Sequence, residues 1–277
     1  MVEADARRGT GSGQWQVMMD FGVPPCPRTR APAHTGRRPS AHPATCQDSS
    51  VRVSLAMAAP HPAELVVEGV QDSGFFDWRQ LFPSLQALLE AAPAIAAELA
   101  GSASAKWHDW PETALYMGGE GETWRVIPFC YTYPADGSVG TQWVASSSAL
   151  LPVTSGLLRG LGPSLRTALF SRLGPGTALA PHDGWAELSN HVLRCHLNVS
   201  IPSPGTSGVA VEGLRQLHAQ GGILCFDDSR VHSGFNEHPT AERTVLIVDM
   251  ARPQGVRPGR ATMGATRELT TFMSHFA

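Results

Sequence analysis

The side chains of this 277-residue chain that could do chemistry gather near two histidines. His182 lies in "PHDG", and His232 ends "FDDSRVH", which follows the apolar run "ILC". Charged groups at the end of a buried strand are costly to desolvate unless they are paired or bind a ligand. Two neutral imidazoles brought together in the mouth of a β-barrel suit a divalent first-row metal such as Fe(II). Because the chain has 11 histidines, spacing alone leaves the commoner structural and surface roles open.

A second candidate feature is the segment "VLRCHLNVSI", in which apolar and polar residues alternate. Alternation with a period of two is typical of a β-strand and places the polar residues on one face. Those polar residues are Arg194, His196, Asn198 and Ser200. If that face met solvent, this would be an ordinary half-buried strand. An arginine and a histidine two residues apart also form a row of donors suited to a carboxylate, so both interpretations stay open.

The elements that must position these residues differ between the two halves of the chain. From about Leu165 onward, short strand-like segments follow one another: "RTALFSRL", "TALAPHD", "NHVLRCHLNVSIP", "SGVAVEG", "GGILCFDD" and "RTVLIVDMARP". Several short strands separated by turn residues indicate an all-β sandwich or barrel. Upstream, "FFDWRQLFPSLQALLEAAPAIAAELAG" predicts two helical pieces, with Pro83 and Pro93 in their first turns.

These patterns predict a tail and one domain. Residues 1–55 are proline- and arginine-rich and lack sustained periodicity, which favours a disordered tail over a targeting segment. Residues 63–277 are expected to form a single domain. Its parts are helical and strand support over 63–164, a β core over 165–253 and a C-terminal tail over 254–277.

Composition excludes several classes of protein. Apolar residues make up 42% of the chain and charged residues 16%, which allows a sizeable core. The net charge of -3 gives no electrostatic case for nucleic acid binding. No apolar run approaches the roughly 20 residues that span a bilayer. The five cysteines are scattered, with no disulfide framework and no zinc pattern, which favours an intracellular, soluble protein. The oligomeric state is not predicted.

Four blocks of the chain together resemble the aspartyl/asparaginyl β-hydroxylase family of iron- and 2-oxoglutarate-dependent oxygenases. The blocks "LFSRLGPGTALAPHDG", "LRCHLNVSIP", "GGILCFDDSRVHSGFN" and "ERTVLIVDMARP" follow that family's order from about Leu169 to Pro253. The resemblance implies a mainly β fold with helical N-terminal support. That fold is a double-stranded β-helix, a jelly-roll or cupin-like barrel with the active site between its two sheets.

The same resemblance implies a metal site. His182 and His232 are the expected catalytic residues and Fe(II) ligands. Other oxygenases have a carboxylate two residues after the first histidine, but this chain has Gly184 there, so water is expected in that place. An alternative is that the neighbouring Asp183 binds the metal. The aspartates of "FDDS" are expected to orient a ligand or a bound water.

The resemblance also implies a site for the cosubstrate 2-oxoglutarate. Arg243 matches the arginine that anchors the far carboxylate, and arginine suits this role because its planar fork binds a carboxylate through two bonds. Ser171 matches a serine that helps hold the same carboxylate. Arg194 and His196 match the pair that contacts the metal-bound end, which favours an inward polar face for that strand. Surface salt bridges and caps are the alternative roles.

The expected activity is that of a dioxygenase using Fe(II), 2-oxoglutarate and O2 to hydroxylate an unactivated carbon. The substrate is an Asp or Asn side chain of a peptide, a small molecule or a lipid. One alternative is a halogenase, since a ligand position without a carboxylate can admit halide. Another is a non-catalytic, cupin-like metal- or ligand-binding barrel. A third is a scaffold whose tail is the interacting segment.

Two further features are open to alternative interpretations. The stretch "WAELSNHV" looks like a longer turn than the family has, and it makes His191 an alternative ligand. Four tryptophans could line a substrate cleft, although buried tryptophans usually belong to the core, and the core interpretation is favoured. They are Trp107, Trp110, Trp124 and Trp143.

Overall fold

The computed structural model describes residues 73–117 and 123–276. The expectations for the tail over residues 1–55, including targeting, lie outside the described residues. Within the described part, no helix has the length and apolar character needed to cross a bilayer.

The described elements are short helices and eleven strands. The helices are α1 (Trp78–Leu81), α2 (Gln86–Glu90), α3 (Ala92–Gly101), α4 (Ala145–Leu150), α5 (Pro152–Gly160), α6 (Ala186–Ser189) and α7 (Arg267–Ser274). The strands are β1 (Phe75–Phe76), β2 (His108–Asp109), β3 (Trp124–Tyr131), β4 (Gln142–Trp143), β5 (Leu165–Leu173), β6 (Val192–Ser200), β7 (Ser207–Val211), β8 (Leu214–Leu217), β9 (Ile223–Phe226), β10 (His232–Asn236) and β11 (Arg243–Ala251). Three short 3-10 turns lie between them, at Pro83–Leu85, Thr113–Leu115 and Gly162–Ser164.

The strands form two antiparallel sheets. The described part of the major sheet has the order β1-β9-β6-β11-β5-β3-β2, with β4 paired to β3, and the minor sheet has the order β10-β7-β8. Apolar residues of β7 pack against Leu224 and Phe226 of β9, so the two sheets face one another. The fold is therefore mainly β, a double-stranded β-helix, as the sequence predicts.

The central strand β11 shows why both faces of the major sheet are buried. Leu246, Val248 and Met250 pack on the outer face with the N-terminal helices. Val245 and Ile247 pack on the inner face, toward the minor sheet. An almost continuous apolar strand is what burial on both faces requires. The inner face is therefore the one available to build a site.

The helical support begins where the prolines indicate. Pro83 opens a 3-10 turn before α2, and Pro93 lies in the first turn of α3. Proline is tolerated there because the first backbone N–H groups of a helix have no intrahelical acceptor. The fully buried side chains of Leu85, Leu88 and Ile95 join the outer core cluster. This layer holds the outer face of the major sheet against the helices.

The segment "TALAPHD", expected to be a regular strand, is a series of isolated bridges along β10. Ala178 pairs with Phe235 and His182 pairs with His232. Pro181 lacks a backbone N–H and cannot donate to a continuous ladder, which explains the interruption. The segment still runs beside β10, and this neighbour relationship positions His182.

Two other segments contain short helices that the sequence patterns did not predict. The stretch "WAELSNHV" contains the short helix α6 rather than only a longer turn. The C-terminal tail contains α7, whose N-cap Thr266 accepts a hydrogen bond from the backbone N–H of Leu269 at 3.2 Å. Leu269 is buried in the inner core cluster. Both helices therefore lie on the side of the molecule where the inner face opens.

Candidate active site

His182 and His232 lie opposite one another and project to the same side. The backbone N–H of His182 donates to the His232 carbonyl at 2.9 Å, and the reverse bond is 2.8 Å long. Directly opposed residues of an antiparallel pair place their side chains on the same face. The centroids of the two imidazole rings are 4.4 Å apart. The structure therefore brings the two predicted ligands into one compartment.

Backbone carbonyls set the tautomer of both rings. The Nδ1 of His182 is 2.7 Å from the Ala180 carbonyl oxygen, and the Nδ1 of His232 is 2.8 Å from that of Arg230. A carbonyl can only accept, so each Nδ1 carries the proton and each neutral ring keeps a lone pair on Nε2. Burial, and then the proximity of His182, lowers the pKa of His232 well below its ordinary value. A neutral imidazole with its other nitrogen fixed in this way is the usual form of a metal-ligating histidine.

The carboxylate of Asp228, which comes from elsewhere in the fold, approaches Gly184, the position two residues after His182. A Cβ on Gly184 would overlap Asp228 Oδ2 and would lie 2.7 Å from the Cβ of Ser189. Asp228 Oδ1 is 3.2 Å from His232 Nε2, and its Oδ2 is buried without a hydrogen-bond partner in the described part of the chain. A carboxylate therefore lies beside the histidine pair, but it comes from the end of β9.

Among the described residues, no group of three or more His, Cys, Asp or Glu side chains is arranged as a ready ligand set. The adjacent Asp183 accepts a 3.4 Å hydrogen bond from the backbone N–H of Thr262. The alternative ligand His191 is exposed. These side chains can therefore provide two protein ligands to a metal, and its remaining coordination positions would stay open.

Arg194 connects Asp228 to a second buried carboxylate. Its Nε and Nη2 donate to the two oxygens of Asp249 at 2.8 and 2.9 Å, and its Nη1 donates to Asp228 Oδ1 at 2.5 Å. Burial opposes the charge, but the two carboxylates outweigh it and raise the pKa of Arg194 above its ordinary value. Sequence reasoning missed Asp249. Its signal is a lone acidic residue within the apolar strand "RTVLIVDMA".

His196 lies on the same inward face, against a second histidine that sequence reasoning also missed. The Nδ1 of His196 is 3.3 Å from Nε2 of His218. Burial lowers the pKa of both rings well below the ordinary value. His196 Nε2 is buried without a hydrogen-bond partner among the described residues. His196 and Asn198 of the polar face of β6 are therefore buried, whereas Ser200 at the end of the strand is exposed.

Arg243 is a buried cation for which the described residues provide no ion pair. Its relative exposure is 2%, and its Nε and Nη1 have no hydrogen-bond partner in the described part of the chain. Burial lowers the pKa of the guanidinium to about 9. The nearby Ser171 accepts a hydrogen bond from Trp124 Nε1 at 3.0 Å, which leaves its hydroxyl proton free to donate. An anion bound between these two side chains would satisfy the arginine.

A narrow cleft of about 30 Å³ joins these groups. It is lined by Ser171, His196 and Arg243 and reaches the two candidate metal ligands. A volume of this size corresponds to about one water molecule. A dicarboxylate therefore requires the flexible lining side chains to move apart as it binds.

A second and much larger cavity, of about 510 Å³, is also lined by His182 and His232. Trp110 and Trp124 both line it, and their ring centroids are 4.5 Å apart with planes at 22°. Both residues are also buried in the inner core cluster. Trp107 and Trp143 pack against the outer cluster as expected for core residues. Trp110 and Trp124 therefore belong to the core and also line the cavity, because one face of a buried tryptophan can do so.

Comparison with known protein families gives a match over more than half of this chain. The family model described as aspartyl/asparaginyl beta-hydroxylase matches residues 76–253. This chain belongs to that family. The match covers the major sheet, both histidines, Arg194 and Arg243, and it ends before α7 begins.

Individual relatives are similar over a shorter segment. The aspartate beta-hydroxylase domain-containing protein 2 of Xenopus tropicalis is 39% identical over 88 residues, which is 31% of this chain and 22% of that protein. The human protein of the same name is 36% identical over 88 residues, again 31% of this chain and 22% of the relative. The matched segment thus spans about a fifth of each of these relatives.

Solved structures are similar in outline. A 2OG-Fe(II) oxygenase family oxidoreductase from Burkholderia pseudomallei has a TM-score of 0.41 at 15% identity, covering 61% of this chain and 80% of that chain. HygX from Streptomyces hygroscopicus, solved with nickel and 2-oxoglutarate bound, has a TM-score of 0.39 at 13% identity. The aligned region covers 65% of this chain and 90% of the HygX chain.

Proposed function

We propose that this protein is an Fe(II)- and 2-oxoglutarate-dependent dioxygenase that hydroxylates an unactivated carbon. The observation that carries the proposal is a pair of imidazole rings 4.4 Å apart, each held at Nδ1 by a backbone carbonyl, beside a cleft that is also lined by Arg243, a buried cation for which the described residues provide no ion pair. Fe(II) with 2-oxoglutarate and O2 supplies a reaction in which R–H becomes R–OH, and 2-oxoglutarate becomes succinate and CO2.

Holding the metal is the proposed role of His182 and His232. The carbonyls of Ala180 and Arg230 keep the Nδ1 protons in place, so both rings present Nε2 without a rearrangement. Imidazole nitrogen suits Fe(II) as well as other first-row metals. Asp228 would hydrogen-bond a water in the place that Gly184 leaves without a side chain, and Arg194 fixes the orientation of that carboxylate.

Holding 2-oxoglutarate is the proposed role of four other side chains. Arg243 and Ser171 would bind the far carboxylate, since both have donors that the described residues leave unused. His196, and the donors of Arg194 that Asp228 and Asp249 do not use, would face the end near the metal. A neutral His196 donates from Nε2 only if its Nδ1 accepts from His218, and their 3.3 Å contact allows this.

The alternatives are less well supported by the same geometry. A halogenase needs a coordination position open to halide, but the Asp228 carboxylate lies beside that position and would repel an anion. A barrel that binds only a metal gives no role to Arg243, a buried cation for which the described residues provide no ion pair and which is costly to retain. Succinate formation from 2-oxoglutarate, measured with Fe(II) and O2 and without added substrate, tests the proposal. Its absence under all metal conditions would favour the binding barrel, and chloride in the product would favour the halogenase.

Substituting Gly184 with alanine should disturb this arrangement. We expect succinate formation to fall by about 10- to 100-fold, the usual effect of losing an outer partner of a metal ligand, because the new methyl group displaces the Asp228 carboxylate. The melting temperature should also fall. The matched control is Gly156→Ala in α5, where an added Cβ has no neighbour within 4 Å. This control should keep full turnover and gain stability. Full turnover in Gly184→Ala would show that the position of Asp228 is unimportant.

A further inference from the structure

The geometry points to an uncharged, largely apolar small molecule as the substrate, bound in the 510 Å³ cavity with its reacting carbon near the histidine pair. This inference rests on the proposed function and names the substrate class of that site. The product would carry C–OH in place of C–H, with one oxygen atom of O2 in the product and the other in succinate.

The walls of the cavity are mainly aromatic and aliphatic. Trp110 lies between Trp124 and Trp185, and its ring centroid is 5.9 Å from that of Trp185 with the planes at 19°. Phe272 closes the same wall, with its ring centroid 5.9 Å from that of Trp110. Leu169 and Ile247 form the floor from the major sheet. Such a surface binds apolar groups by removing them from water.

Two charged groups that line this cavity, Arg194 and Glu112, already have hydrogen-bond partners within the protein. Arg194 is the one lysine or arginine among the described lining residues, and it already binds Asp228 and Asp249. Glu112 accepts from the indole N–H groups of Trp110 and Trp185, each at 3.2 Å, and from the Thr266 hydroxyl at 2.7 Å.

Among the described lining residues, an anionic substrate group would therefore find no lysine or arginine that is not already paired with carboxylates. An aspartyl side chain would bury its carboxylate among rings and beside other carboxylates, which is strongly unfavourable without a cation. An uncharged ligand meets no such penalty. The cavity thus selects against the acidic side chain for which the family is named.

The helix α7 forms one wall of the cavity and lies beyond the segment that the family model matches. Its residues Leu269, Phe272 and Met273 line the cavity. The Thr266–Glu112 hydrogen bond attaches the start of this helix to the segment that carries Trp110. The shape of the cavity therefore depends on an element that the family match leaves out, as expected for a feature that sets substrate choice.

The volume sets the size of the ligand. Cavities of roughly 300–1,000 Å³ hold drug-sized molecules. Within a series of alkanols, each added methylene that is buried should increase affinity about fourfold at 25 °C, until the cavity is filled. Alkanoates of equal length should bind much more weakly, because their carboxylate has no partner.

The test is binding of defined probes to the full chain, without iron and under anaerobic conditions. 1-Hexanol, 1-octanol and 1-decanol are compared with the matching alkanoates and with an acetylated aspartyl peptide, by tryptophan fluorescence and calorimetry. We expect affinity to rise along the alkanol series and to be at least tenfold weaker for each alkanoate. Tighter binding of the aspartyl peptide than of 1-decanol would overturn the inference.

Three variants locate the binding. Phe272→Asp should weaken 1-decanol binding at least tenfold, whereas Thr271→Asp, at an exposed position of the same helix, should leave it unchanged. Met273→Arg should increase decanoate affinity, which is a gain that misfolding cannot produce. If Phe272→Asp and Thr271→Asp bound 1-decanol equally, and Met273→Arg gained no affinity for decanoate, the ligand would bind elsewhere and the inference would be overturned. Succinate formation without added substrate separately tests the proposed function, so the two can fail independently.

Discussion

His182→Ala and His232→Ala should each lower succinate formation by more than about 100-fold. Losing an outer partner of a metal ligand typically reduces metal affinity or activity by 10- to 100-fold, and losing a ligand itself should exceed that. Among the described residues, no third His, Cys, Asp or Glu side chain completes a ligand set with this pair, so losing either histidine should leave a single protein ligand. The measurement is succinate formed per chain with saturating Fe(II), 2-oxoglutarate and O2.

Controls separate loss of the metal from loss of the fold. His191 is exposed, and His191→Ala should retain full turnover. Free imidazole should restore part of the turnover of the two alanine variants, since it can enter the space of the missing ring, whereas an unfolded chain would not respond. Undiminished turnover in either alanine variant would contradict the assignment of the metal ligands.

Arg243→Met should separate cosubstrate binding from stability. Hydrogen bonds to charged groups contribute about 1.5–3 kcal/mol each, and losing two of them corresponds to about 100-fold or more in the Kd for 2-oxoglutarate. The ligand-free protein should be as stable as the wild type or more stable, because a buried cation without a described counter-ion is replaced by an apolar side chain of similar length. Calorimetric titration and thermal unfolding measure the two effects.

Two further substitutions refine this prediction. Arg243→Lys keeps the charge but loses the planar fork, so its Kd should lie between those of the wild type and Arg243→Met. Arg215→Met removes an exposed arginine that pairs with Glu237 at 2.8 Å, and it should leave 2-oxoglutarate binding unchanged. If Arg243→Met bound 2-oxoglutarate as tightly as the wild type, the far carboxylate would have a different anchor.

Local patterns predicted most of the fold. The alternation in "VLRCHLNVSI" predicted β6 and its polar face, because successive strand residues point to opposite sides whatever the surroundings. The prolines at 83 and 93 marked helix starts for an equally local reason. The segment "TALAPHD" was predicted as a regular strand, but Pro181 interrupts its ladder and leaves only bridges.

The site was predictable only in part, because its remaining partners meet through long-range register. Asp249 meets Arg194 since β11 and β6 pair at those residues. Glu112 meets Thr266 across 154 residues of sequence. No local pattern encodes either contact. The paired role of Trp110 and Trp124, in both core and cavity, likewise depends on where the space between the sheets lies.

The most direct test of the account is an anaerobic titration of Fe(II) into the chain with 2-oxoglutarate, followed by visible charge-transfer absorption. A single iron site shared by the two histidines predicts saturation at one iron per chain, decay of the absorption when O2 is admitted, and succinate in equal amount. The double variant His182→Ala/His232→Ala should show none of these changes. Full absorption in that double variant, or none in the wild type, would contradict the shared iron site on which the account depends.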